Sequence, residues 1–178
     1  MNAAFIDSFQ LSEKDTDEID RLVAADSSQY FESEVLTPDG RKVWPDKRSS
    51  KTVFFKDSFS ILTLQDFLMR PYLERTGRNF KIQEVHRLRY SIDDHFDWHH
   101  DRLDLDGIAK RDLTCVLMLS NFDDYGGGLL EIRHPSENRN LSFQLVRGQY
   151  VIFPAGFFHR VTPVRSGCRE TIVAWAEA

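Results

Sequence analysis

The stretch Phe80–Asp101, FKIQEVHRLRYSIDDHFDWHHD, is where the chain changes its periodicity. Phe80, Ile82, Leu88 and Tyr90 alternate with charged or polar residues, and a repeat of two sends successive side chains to opposite faces of a strand. The runs that follow are short and of the same kind: DLTCVLMLS, LLEIRH, LSFQLV, QYVIFP, FFHRVTPV and RETIVAWA, separated by Gly, Asp, Asn and Pro. Strands at this density predict a mainly β fold, an antiparallel sandwich or jelly roll over residues 80–178.

Upstream, the pattern is helical. Ser12 with Asp15 three residues on is a capping-box-like start for a helix over 13–25, with Ile19, Leu22 and Val23 on its apolar face. A second helix is predicted over 60–76 from the spacing of Leu64, Phe67, Leu68, Tyr72 and Leu73, with Pro71 as a kink and Gly77 as the stop. Both helices are expected to lie outside one sheet. Between them, residues 27–51 are polar and carry the turn signal TPDG at Thr37–Gly40 and then Pro45, which predicts a long loop with a short hairpin. With Tyr30, Phe31 and Trp44 among its charges, this segment is a candidate lid.

Composition sets the outer limits. A chain of 178 residues without repeats or low-complexity tracts is expected to be one domain with a core large enough to fold unaided. The net charge of -5 gives no basic footprint, so nucleic acid is not an expected partner, although Arg87, Arg89, Lys110 and Arg111 could form a local basic groove. Two cysteines are too few for a disulfide framework, and neither a leader pattern nor a run of about 18 apolar residues occurs. The expectation is a cytoplasmic protein with no membrane contact.

The strand period also bears on the doubled histidine. Only one of His99 and His100 can share a face with Asp101, and that is His99, two residues earlier. Two histidines and a carboxylate form a facial metal site when a second histidine converges on them, and His159, some 60 residues on, is the candidate. Arg169 follows ten residues later across the turn VRSGCR, placed to stand on the neighbouring strand and point into the same cavity as a fixed cation.

The series Tyr90, Phe96, His99, Asp101, YGGGLLEI at Tyr125–Ile132, GQYVIFP at Gly148–Pro154, His159, Pro163–Val164, Gly167 and Arg169 resembles the prolyl 4-hydroxylase-like branch of the iron(II), 2-oxoglutarate-dependent dioxygenases. The resemblance covers about Phe80–Ala178 and extends weakly to FIDSF and to RSS at Arg48–Ser50. It implies a double-stranded β-helix in which His99, Asp101 and His159 bind Fe(II). It also implies 2-oxoglutarate chelating that iron, with Arg169 on its far carboxylate and Tyr90 as a hydroxyl support. The implied reaction consumes O2, hydroxylates a C–H bond of an amino acid, a peptidyl residue or a small metabolite, and releases succinate and CO2, with ascorbate in support. Asp101 stands where the halogenating relatives lack a carboxylate.

Two positions depart from the pattern. Asp93 replaces a glycine usual three residues after the tyrosine, and Met118 lies near a tyrosine that holds the co-substrate in some relatives. Met118 cannot donate that hydrogen bond, so co-substrate binding is expected to rest on Arg169 and Tyr90, with Thr171 as a further donor. Candidate substrate contacts are His100, Arg111 and Trp44, and Arg87, Arg89, Arg102 and Arg111 near the mouth favour a carboxylate-bearing substrate. His86 and His95 are read as a sheet-face and a loop histidine, His134 as a surface residue, Trp175 as core, and Gly126–Gly128 as a turn with positive φ. A non-catalytic module that senses metal or 2-oxoglutarate is the alternative from another class; a zinc hydrolase on the same ligands would lack an evident general base.

Overall fold

The computed structural model describes residues 6–37, 39–105, 109–136 and 139–177. Its elements in chain order begin β1 (Asp7–Gln10), α1 (Glu13–Ala25), β2 (Phe31–Glu32), β3 (Glu34–Thr37), β4 (Gly40–Val43), β5 (Arg48–Ser49), β6 (Lys51–Phe54) and α2 (Ser58–Thr76). There follow β7 (Lys81–Tyr90), β8 (His95–His99), β9 (Asp104–Leu105), β10 (Ala109–Lys110), β11 (Leu113–Met118), β12 (Tyr125–Gly127) and β13 (Leu130–Arg133). The last are β14 (Asn140–Phe143), β15 (Gln149–Pro154), β16 (His159–Val161), β17 (Val164–Gly167) and β18 (Arg169–Glu177).

Two antiparallel sheets make the body, a major one in the order β1-β15-β11-β18-β7-β6-β2 and a minor one in the order β14-β13-β16-β8-β5. This is the jelly roll expected from the strand pattern, in the double-stranded β-helix form that the family resemblance implies. β11 shows why the major sheet sits in the middle: all six of its residues are buried. Leu113, Cys115 and Leu117 pack with Ile19, Leu64, Leu68 and Tyr72 of the helices, whereas Val116 and Met118 pack with Leu130, Ile132 and Val161 of the minor sheet. A strand covered on both faces reads as a continuous apolar run, as DLTCVLMLS does.

The helices start and stop as their residues dictate. The Asp15 N–H donates to Ser12 Oγ at 3.1 Å at the start of α1, and Ser60 N–H donates to Asp57 Oδ1 at 2.7 Å at the start of α2. Gly77 ends α2 in the left-handed conformation at φ 68. α2 runs through Pro71 to Thr76, and Leu73, expected on its apolar face, is exposed.

Residues 27–51 differ from the expected loop. β3 and β4 form the hairpin, with Pro38 of its turn outside the described residues, while β2 and β6 pair with each other and β6 also with β7. β5 pairs with β8, so the segment is tied to the edges of both sheets. Its strands are short and largely exposed, and such strands need no apolar alternation to betray them. Among the described residues no helix is long and apolar enough to cross a membrane.

Candidate metal centre and the cavity around it

Three side chains from separate parts of the chain meet between the sheets. His99 closes β8 and stands opposite His159, the first residue of β16. Asp101 follows in a turn fixed by its own N–H and that of Arg102, both donating to the Ala155 carbonyl at 2.8 and 2.9 Å. Nε2 of His159 lies 3.3 Å from Asp101 Oδ2, Nε2 of His99 lies 3.6 Å from Oδ1, and the three donor atoms all lie within 4.8 Å of one another. In each imidazole Nδ1–H donates to a carbonyl, Asp97 for His99 at 2.8 Å and Phe157 for His159 at 3.0 Å. A carbonyl only accepts, so Nδ1 carries a proton in each ring and Nε2 is the nitrogen turned toward Asp101 and open to a metal. Phe96 stacks on His99 at 3.5 Å, and Phe153 meets His159 edge-on at 4.8 Å.

The electrostatics suit a cation. Burial, with His159 beside it, pushes the His99 imidazole down to about 3. Burial alone would raise the Asp101 carboxyl, but His159 and then His99 hold it well below the usual carboxylate range. The Trp175 indole N–H faces the same carboxylate without completing a hydrogen bond. Burial works to lower His159, yet Asp101 outweighs it and the imidazole is raised. An ionised carboxylate between two oriented imidazoles is a donor set for a divalent transition metal. His100 is not part of it: that ring meets Phe158 edge-on at 5.5 Å at the exposed rim.

The donors open into a cavity of about 380 Å³ whose lining includes Arg169, Thr171 and Tyr90. Arg169 does not stand on the strand neighbouring His159, as expected; β17 pairs with β12 between them, and β18 brings Arg169 in from the facing major sheet. Arg169 is 1% exposed, its Nε has no partner, and Nη1 reaches Thr171 Oγ1 at 3.5 Å. The guanidinium lies 5.2 Å from the centroid of the Tyr90 ring, opposite it in the β18–β7 ladder. Burial lowers its pKa, with Tyr90 and Tyr125 opposing. A buried cation without a carboxylate among the described residues calls for an anion from outside.

Other expected residues fall elsewhere. Met118 stands opposite Thr171 in the β11–β18 ladder but is buried among the apolar side chains between the sheets, outside the cavity lining. Trp44 lines an adjoining groove with Lys42, Lys47, Asp97 and Trp98, which shares Val35, Phe96 and His99 with the cavity. Arg111 does line the cavity, held by Glu84 and lying 3.9 Å over Trp175, which is buried in the core as expected and also borders the cavity. Arg87 and Arg89 are not at the mouth: both pair with Glu170 on the other face of the major sheet. With Lys110 on Asp112 and Arg111 on Glu84, the four basic residues make no common groove. His86 lines the cavity, its Nε2–H on Glu84 Oε1 at 2.6 Å and its Nδ1 unpartnered. His95 lies at the start of β8 beside the Asp46 and Asp93 carbonyls, and His134 is half-buried against Phe157. Gly127 and Gly128 take the positive φ expected of them, Gly126 does not.

Sequence reasoning missed three contributors. Thr114 Oγ1 donates to Asp101 Oδ2 at 2.9 Å, Glu84 organises His86 and Arg111, and Arg48 brings a guanidinium over Phe96 at 4.6 Å. The alternation of β7 from Glu84 onward, with even numbers toward the cavity, was the available signal for Glu84 and His86; the register shift before it turns Ile82 to the helix side.

Residues 85–177 match the model of the 2OG-Fe(II) oxygenase superfamily. A PKHD-type hydroxylase of Synechococcus sp. strain CC9605 is 37% identical over 100 residues, 54% of this chain and 44% of the relative. One from Shewanella oneidensis is 36% identical over 93 residues, 51% of this chain and 41% of the relative. The chain thus spans less than half the length of these relatives. A prolyl hydroxylase of Trichoplax adhaerens, solved with a hypoxia inducible factor peptide fragment, shares the fold with a TM-score of 0.74 at 18% identity, over 96% of this chain and 82% of that one. A Pseudomonas putida prolyl-4-hydroxylase gives 0.71 at 16% identity, over 98% and 93%. By the family model, whose match over residues 85–177 includes His99, Asp101, His159 and Arg169, the chain belongs to the 2OG-Fe(II) oxygenase superfamily.

Proposed function

We propose that the protein is an Fe(II)- and 2-oxoglutarate-dependent dioxygenase that hydroxylates an unactivated C–H bond of an amino acid, a peptidyl residue such as proline, or a small metabolite. The observation that carries this reading is the pairing, in one cavity, of the His99–Asp101–His159 donor set with a buried Arg169 whose Nε has no partner. The donor set fits Fe(II), and the orphaned guanidinium fits the far carboxylate of 2-oxoglutarate. When bound, iron and co-substrate supply the oxidation: 2-oxoglutarate and O2 become succinate and CO2, and one oxygen atom enters the substrate.

The protein's part is placement. His99, Asp101 and His159 hold the metal from one side and leave its other positions to the cavity. Arg169 and Thr171 take the carboxylate, with Tyr90 as the lateral hydroxyl. Leu88, Val116, Leu130, Val161 and Val173 line the space and exclude water around the reacting atoms. Two free thiols, Cys115 and Cys168, fit a reducing, cytoplasmic compartment.

The test is succinate formation by purified protein with Fe(II), 2-oxoglutarate and ascorbate across a panel of amino acids, peptides and metabolites. Turnover that disappears in His159→Ala and Asp101→Ala is expected. An equal succinate yield in both variants would overturn the reading, and 2-oxoglutarate binding with no turnover on any substrate would be the behaviour of a sensor.

A further inference from the structure

Besides Arg169, the cavity wall holds a second arginine without a carboxylate partner. Arg48 is paired with Phe96 in the β5–β8 ladder, and its guanidinium lies 4.6 Å over the Phe96 ring, which stacks in turn on His99. Its hydrogen bonds go to neutral oxygens, Ser50 Oγ at 3.1 Å and the Glu34 carbonyl at 3.2 Å. Among the described residues no carboxylate forms an ion pair with it. Of the other arginines lining the cavity, Arg111 is ion-paired with Glu84, while Arg41 and Arg102 are exposed to solvent, unlike the half-buried Arg48. Burial pulls the Arg48 guanidinium down from its ordinary pKa, with Tyr90 and Asp101 opposing, but an arginine stays charged.

Charge balance then points to a ligand. Setting aside the solvent-exposed Glu34, Arg41 and Arg102 and the neutralised Arg111–Glu84 pair, the two positive charges of Fe(II) and the one on Arg169 in the loaded site meet one negative charge on Asp101 and two on 2-oxoglutarate. Arg48 remains as one unmatched cation, stacked on an aromatic ring and held by two hydrogen bonds, with its fork geometry suited to a carboxylate. An internal peptidyl residue without an acidic side chain brings no anion there; a free carboxylic acid does. Resting on the proposed function, we infer that Arg48 anchors the carboxylate of a small carboxylic acid substrate, a free amino acid being the simplest, and turns its carbon chain toward the metal.

The experiment uses the whole chain loaded with Mn(II) and 2-oxoglutarate under anaerobic conditions, so that no turnover occurs. Binding of free L-amino acids and 2-hydroxy acids is measured by calorimetry against the matching N-methyl amides and short capped peptides, in the wild type, Arg48→Lys and Arg48→Gln. At least one acid is expected to bind about 10-fold or more tightly than its amide to the wild type. That preference should fall below about twofold in Arg48→Gln and be partly kept in Arg48→Lys, which retains the charge but not the fork. Affinity for 2-oxoglutarate should stay within about twofold in all three proteins. Amides or capped peptides that bind as well as acids, a preference that survives Arg48→Gln, or no acid bound at millimolar concentration each overturn the inference. A loss of 2-oxoglutarate binding confined to Arg48→Gln also overturns it, because Arg48 would then hold the co-substrate. Failure of the wild type to bind 2-oxoglutarate at all would instead overturn the proposed function.

Discussion

Thr114 Oγ1 donates a hydrogen bond of 2.9 Å to Oδ2 of Asp101, the same oxygen that lies 3.3 Å from Nε2 of His159. Thr114 belongs to the major sheet and Asp101 follows a strand of the minor one, so this bond ties the donor set across the cavity. A group that orients a metal-binding carboxylate commonly sets about 10-fold to 100-fold in affinity. Thr114→Val keeps the shape and removes the donor. We expect Fe(II) affinity to fall about 10-fold, measured by anaerobic titration, with the urea midpoint moving by no more than about 1 kcal/mol equivalent. An unchanged affinity would remove Thr114 from the support of the site.

Arg169 has its own support in the turn after β12. A Cβ on Gly128 would stand 2.8 Å from Arg169 Cδ and 3.1 Å from Val164 Cγ2, at a φ of +58 that side chains rarely adopt. Gly128→Ala should therefore displace the guanidinium while leaving the three metal donors in place. The expected result is a rise of about 10-fold in the dissociation constant for 2-oxoglutarate, with metal affinity within about twofold. Calorimetry with the metal-loaded variant reads both, and a parallel loss of metal would mean that the whole cavity had shifted.

At Asp93, where a glycine is usual, the backbone takes φ 68. Aspartate is among the few side chains that enter this region with little strain, and the turn is held by Asp93 N–H on the Val164 carbonyl at 2.9 Å and by Asp94 accepting from Ser91 N–H at 2.8 Å. The turn therefore keeps its shape without the glycine. Asp93→Gly should leave stability within about 0.5 kcal/mol, while the β-branched Asp93→Val should lose about 1–2 kcal/mol, read from denaturant midpoints. Equal midpoints for the two variants would contradict the positive φ.

What the sequence disclosed depended on whether periodicity carried it. Period two placed His99 with Asp101 and set His100 aside, and α1 begins and ends where its cap and apolar spacing put it, because local signals coincide with tertiary packing there. The same alternation separates Arg87 and Arg89 from the inward Leu88 and Tyr90; placing these two at a basic mouth counted charges without applying the strand period, whereas Arg102 and Arg111 do line the cavity. Arg48, noted only within the RSS likeness, had no role in the sequence reading for a different reason. It reaches the cavity from a two-residue strand at the edge of the minor sheet, in a polar segment with no repeat long enough to read, and only the β5–β8 pairing places it over Phe96.

Glu84 offers a test in acid. It accepts from His86 Nε2–H at 2.6 Å and is ion-paired with Arg111 Nη2, and both partners lie along the cavity wall. Burial by itself would raise the carboxyl, but the His86 hydrogen bond and the Arg111 charge outweigh it and lower the pKa from an ordinary 4.5 to about 2. Because the folded value lies below the unfolded one, the unfolded chain takes up the proton first as pH falls. The contribution of Glu84 to stability is therefore fully present above about 4.5 and is lost as the pH falls toward about 2. Glu84→Gln removes the charge at every pH and leaves Arg111 without its partner. At pH 7 we expect the variant to be less stable by about 1–3 kcal/mol, less than for a fully buried pair because Glu84 is partly exposed. The gap between variant and wild type should narrow steadily over the acid window, read from urea midpoints at a series of pH values. A gap that stays constant from pH 7 down to pH near 2 would show that Glu84 does not hold its charge in the folded protein.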